Sequence, residues 1–106
     1  MNAIKQDVKA LVQKELESAN KKFPKTFRSR HEAYGVMLEE FEEAQNDLEC
    51  CMKDLEMFKR SMKHDGIQYE EHFIKCMKEY AINLACEAVQ LAAMAQKALD
   101  SMEEWK

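Results

Sequence analysis

Glycine and proline are nearly absent from this chain: its 106 residues include two of the first and one of the second. That scarcity excludes folds built on tight hairpins, and it leaves no glycine-rich loop to cradle phosphates and no nucleophile elbow. The four cysteines, Cys50, Cys51, Cys76 and Cys86, form no CxxC pair. They are expected to be reduced, packed thiols in a cytoplasm rather than a disulfide framework. His31, His64 and His72 lack metal-ligand spacing and no E-x-x-H occurs, which disfavours a di-iron helical bundle. No stretch approaches the ~20 apolar residues of a membrane span, and the start, MNAIKQDVKALVQKE, has no signal-peptide core. A cytoplasmic protein without membrane attachment is the expectation. A formal charge of −4 and the lack of a long basic block argue against nucleic acid as a partner.

What is abundant is the helix-forming set Ala, Glu, Lys, Leu and Met, with 34% charged and 46% hydrophobic residues. This balance predicts a single all-α domain over residues 1–106, an antiparallel bundle of three to four long helices. A chain this short buries only about two-thirds of its unfolded surface, so self-association is expected. The first helix is predicted over 2–21, from the spacing of Ile4, Val8, Leu11, Val12, Leu16, Ala19 and Phe23, with Pro24 marking its exit into a basic loop over 22–28. Ser29 and Glu32 have capping-box spacing and open a long helix over 29–64. Its apolar seam reads Tyr34, Met37, Phe41, Ala44, Leu48, Cys51, Leu55, Phe58, Met62. A turn at 65–67 leads to a second long helix over 68–103, with a break conceivable before Tyr80. Its seam reads Ile74, Met77, Ala81, Leu84, Ala88, Leu91, Ala95, Ala98, Met102. Between Tyr80 and Ala95 thirteen of sixteen residues are apolar, the pattern of a helix central to its bundle.

Three polar residues interrupt that apolar stretch: Asn83, Glu87 and Gln90, at i, i+4 and i+7 and therefore on one face. A buried carboxylate there needs a proton, a hydrogen-bonded partner or a metal. On the preceding helix, "LEEFEEAQNDL" carries Glu39, Glu40, Glu42 and Glu43. Alone, such a run is a solvated helix face, and its internal repulsion costs only a few tenths of a kcal/mol per pair. The register changes the weighting. Glu40 and Glu43 directly precede seam residues Phe41 and Ala44, as Glu87 and Gln90 precede Ala88 and Leu91. Packing across the seams would converge E-x-x-E and E-x-x-Q on one pocket, as a hard, oxygen-loving ion such as Mg²⁺ requires.

"HEAYGVMLEEFEEAQNDL" followed by "ACEAVQLAAMAQKAL" resembles the MazG-like members of the all-α nucleoside triphosphate pyrophosphohydrolases, especially small bacterial and phage-type versions. The likeness covers about Arg30 to Leu99. The family hallmark is EExxE on one helix and ExxD on a later one; Glu39, Glu40 and Glu43 match the first motif and Glu87 opens the second. The resemblance implies a helical dimer or tetramer that binds Mg²⁺, or Mn²⁺ in its stead, and cleaves nucleoside triphosphates to monophosphate and pyrophosphate. It makes Glu40, Glu43 and Glu87 metal ligands and Glu39 a ligand or a catalytic residue orienting the attacking water. Asn83 is a candidate substrate contact. Gln90 departs from the pattern: its carbonyl can ligate Mg²⁺ but brings no negative charge. That departure motivates the alternative of a non-catalytic helical interaction or nucleotide-sensing protein on the same bundle.

Overall fold

A computed structural model describes residues 2–64 and 67–106, which form three α-helices and one short 3-10 helix with no strand among them. The helices are α1 (Asn2–Lys22), α2 (Arg30–Lys63) and α3 (Ile67–Ser101), and the 3-10 turn is Met102–Trp105. The chain is all-α, and no helix among the described residues is long and apolar enough to cross a membrane. The predicted turn at 65–67 falls at 65–66 outside the described residues, whereas Ile67 already belongs to α3. No break precedes Tyr80; α3 runs without interruption.

Helix boundaries follow local chemistry. α1 stops two residues before Pro24, whose ring disfavours helical backbone in the residue it follows. Ser29 caps α2, its Oγ accepting the Glu32 backbone N–H at 3.1 Å. The carboxylate of Glu32 accepts from Arg28 Nε at 3.0 Å, so the cap is the serine half of a capping box.

The chain divides into two compact units, Met1–Phe41 with Glu87–Lys106, and Glu42–Cys86. In the first unit Phe27, Ala33 and Ala98 form the buried core, with Val36, Met37, Met94 and Trp105 packed on it. Phe27 is fixed by its backbone: its N–H donates to Ser101 Oγ at 2.8 Å, and its carbonyl accepts Trp105 Nε1–H at 2.9 Å. Ser101 Oγ in turn donates to the Lys97 carbonyl at 2.7 Å. The fully buried hydroxyl therefore acts as both acceptor and donor, and no polar group is stranded there.

In the second unit two antiparallel helical stretches meet. Cys51 Sγ donates to the Met77 carbonyl at 3.7 Å, and Cys50 hydrogen-bonds Tyr80, so the two strands of helix run in opposite directions.

The seams require correction. On α2, Met37, Ala44, Cys51 and Phe58 are partly buried as expected, but Tyr34, Phe41, Leu48, Leu55 and Met62 are 49–65% exposed. The row that completes the covered stripe is Ala33, Glu40, Asp47, Asp54 and Ser61. On α3 the stripe is likewise displaced by one residue, to Phe73, Tyr80, Glu87, Met94 and Ser101 alongside Met77, Leu84, Leu91 and Ala98. Ile4, Val8 and Leu11 of α1 are exposed too. One residue is a turn of about 100° about a helix axis. Three helices supply too little surface to cover every apolar row, and packing selects the faces whose small residues, such as Ala33 and Ala98, permit close approach.

Candidate metal centre

The displaced stripes bring acidic residues onto the covered faces. Glu40 of α2 and Glu87 of α3, both in the first unit, present carboxylate oxygens within 4.8 Å of one another. Glu43 follows Glu40 by one turn on α2. Glu40 and Glu87 are partly buried, whereas Glu43 is exposed. Like charges this close repel, and a proton or a cation between them would relieve the repulsion. Ligands on an octahedral Mg²⁺ at ~2.1 Å stand about 3–4 Å apart, so the oxygen separation falls within the range a single ion could draw together.

The other residues singled out from the sequence lie as follows. Gln90, partly buried, follows Glu87 by one turn of α3 and lines a cavity of about 420 Å³ that Glu40 also lines. Glu39 is exposed and lies outside the carboxylate group. Asn83 is exposed, one turn before Glu87 and off the covered stripe of α3. Glu40 and Glu87, expected beside the buried faces, are members of them.

The cavity belongs wholly to the first unit. Ala19, Phe23, Pro24, Phe27, Val36 and Met94 supply its apolar wall. Its polar residues include Thr26, Glu32, Gln90 and Lys97. Lys97 escaped notice in the sequence. Its signal was available: a lysine two turns beyond Gln90 on the most apolar helix of the chain.

In the second unit the acidic row has electrostatic consequences of its own. Burial raises the Cys51 thiol pKa above its ordinary value, and the neighbouring Asp54, Asp47 and Cys50 push it the same way. The electrostatic influence of Cys50, together with the hydrogen bond between them, raises the Tyr80 phenol, with lesser contributions from burial, Asp54 and Cys76. Asp54 Oδ2 is buried without a hydrogen-bond partner among the described residues. Alkylation requires the thiolate, so a raised pKa means less reactive Cys51 at any pH below it. Mass spectrometry after brief iodoacetamide treatment at pH 8 should find Cys51 modified far more slowly than exposed Cys86. Equal rates at the two would contradict the burial assigned to Cys51.

No family model, curated protein or solved structure matches the chain. Its functional reading therefore rests on the residues themselves, their arrangement and the motif likeness.

Proposed function

We propose that this chain is a Mg²⁺-dependent nucleoside triphosphate pyrophosphohydrolase of the MazG-like kind. The observation that carries the reading is the approach of Glu40 and Glu87, from different helices, to within 4.8 Å through their carboxylate oxygens. The likeness of the two quoted segments to the EExxE and ExxD motifs supports it independently.

In this reading Glu40 and Glu87 would hold the ion, with the Gln90 carbonyl as a neutral donor, and Glu43 is the further ligand that the resemblance implies. A bound divalent ion neutralises phosphate charge and lowers the pKa of a coordinated water. Water then attacks the α-phosphorus, the α–β bridging P–O bond breaks, and nucleoside monophosphate and pyrophosphate leave. Of the two roles the resemblance implies for Glu39, only orientation of the attacking water agrees with its exposed position outside the carboxylate group. Asn83, also exposed, would reach a substrate only from the solvent side.

The test is direct. Purified protein with Mg²⁺ or Mn²⁺ is offered a panel of nucleoside and deoxynucleoside triphosphates, and pyrophosphate is measured. No release from any of them at high protein concentration would end the catalytic claim. Gln90 favours a second reading, because replacing the acid removes one negative charge from the ligand set. A nucleotide sensor would bind the metal–nucleotide complex tightly and leave it uncut. A non-catalytic interaction protein would gain no thermal stability from either, since no binding energy is then linked to folding.

The partner is a second copy of the chain, as a dimer or a pair of dimers. Tyr34, Phe41, Leu48, Leu55 and Met62 recur every seven residues on α2 and are exposed, and a heptad row of this kind buries itself against another helix. Light scattering should give at least twice the 12.4 kDa chain mass. Leu48→Glu combined with Leu55→Glu should return the monomer. A monomer in the unsubstituted protein at micromolar concentration would refute the pairing.

A further inference from the structure

Lys97 is buried, with 4% of its surface exposed, yet it lines the cavity that Glu40 and Gln90 also line. Its ammonium lies over the face of Phe27, with Nζ 4.8 Å from the ring centroid. The ion pairs among the described residues engage Arg28, Arg60, Lys75 and Lys106; Lys97 takes part in none of them. A ring face attracts a cation but accepts none of the three ammonium N–H bonds in the way an oxygen does. A desolvated ammonium without an anion is costly to keep. Methionine would fill the same volume at less expense of solvation.

We infer that Lys97 is the anion contact of this cavity and takes a phosphate oxygen of a polyphosphate whose metal-bound part lies at Glu40 and Glu87. The inference rests on the metal reading above and adds to it the group that holds the ligand's far end. Charge determines the order of events. Glu15, Glu32 and Glu40 line the same cavity, and Glu32 is already neutralised by Arg28 at 3.0 Å. With a divalent ion on Glu40 and Glu87 the remaining field turns favourable to an anion; without it, the carboxylates repel one. The metal therefore enters first or together with the phosphates. Gln90 and Lys97 stand two turns apart on α3, roughly 10 Å along its axis, so the ion and the ammonium address separate parts of the ligand. Lysine's compact charge suits phosphate oxygens approached from one direction.

The experiment is calorimetric titration of the full chain with Mg²⁺ alone, and with inorganic tripolyphosphate in the presence and absence of Mg²⁺. Unsubstituted protein, Lys97→Met and Lys97→Arg are compared. Lys97→Met should bind Mg²⁺ alone as the unsubstituted chain does but lose roughly tenfold to a hundredfold in affinity for Mg²⁺–tripolyphosphate, the worth of one charge-assisted hydrogen bond. Lys97→Arg should recover most of it. Full tripolyphosphate affinity in Lys97→Met overturns the inference, as does an unsubstituted chain that binds Mg²⁺ but no tripolyphosphate. If the unsubstituted chain binds no Mg²⁺, the metal reading fails by itself. The Lys97 contact survives that result only if tripolyphosphate still binds and Lys97→Met still weakens it; otherwise it falls as well. Should Lys97→Met not fold, the unsubstituted protein labelled at lysine Cε gives the answer by NMR. The Lys97 resonance must shift on adding Mg²⁺–tripolyphosphate, and an unmoved resonance at saturation refutes the contact. A purely structural lysine would alter melting temperature and leave tripolyphosphate affinity untouched.

Discussion

Glu87→Gln should abolish the metal response of the protein while leaving its helices intact. The substitution keeps the shape of the side chain and removes one of two carboxylates whose oxygens lie within 4.8 Å. The helical circular dichroism spectrum should persist, because the amide has the volume of the carboxylate it replaces. The rise in melting temperature with Mg²⁺ and nucleotide should disappear. Pyrophosphate release should fall about a thousandfold, since several kcal/mol of transition-state stabilisation depend on the ion. Unimpaired Mg²⁺ affinity in this variant would show that the ion, if bound, sits elsewhere, and the proposed centre would have to be abandoned.

Phe27→Ala should cause the largest loss of stability of any single truncation. Phe27 sits between α1 and α2 in sequence, yet it is nearly fully buried against Ala33 and Ala98, and Met94 and Trp105 close over the cluster. Truncation would leave a cavity among Ala33, Ala98 and the side chains packed on them, at about 3–5 kcal/mol. For a domain of this size that is a fall of roughly 12–25 °C or more in melting temperature, enough to unfold a marginal protein. Phe23→Ala is the control: Phe23 is 64% exposed, and its loss should cost under ~0.5 kcal/mol. Urea denaturation of the two variants checks the contrast. Comparable losses would mean that the Phe27 cluster is not the core of the first unit.

The helices were legible in the sequence because their boundaries are written in local chemistry. Pro24 ends α1 and Ser29 caps α2 irrespective of what packs where. The rotation of each helix was only half legible. The row Met37, Ala44, Cys51, Phe58 is covered, but its companion row is Ala33, Glu40, Asp47, Asp54, Ser61 rather than Tyr34, Phe41, Leu48, Leu55, Met62. Reading a buried face from apolar density assumes that the face is apolar. Here the covered face carries acids, and the more apolar row is left outside the single chain. The same assumption set Glu40 and Glu87 one position beside the faces they occupy. Their relative register was nonetheless preserved, because both helices were misread by the same step and in matching positions. The signal at Lys97 was weak for a related reason: a lone lysine near a helix end reads as solvated charge until its burial is known.

The Ser101 hydroxyl, tied to Phe27 on one side and to the Lys97 carbonyl on the other, has a further consequence. Together with Trp105 Nε1–H on the Phe27 carbonyl and Thr26 Oγ1–H on Glu104 Oε2 at 2.9 Å, it makes the stretch past α3 a clasp for the segment between α1 and α2. That segment supplies Phe23, Pro24, Thr26 and Phe27 to the cavity wall. A protease nick after Ser101, or a bulky fusion that pries Trp105 away, would thus unfasten the cavity wall without touching a single acidic side chain.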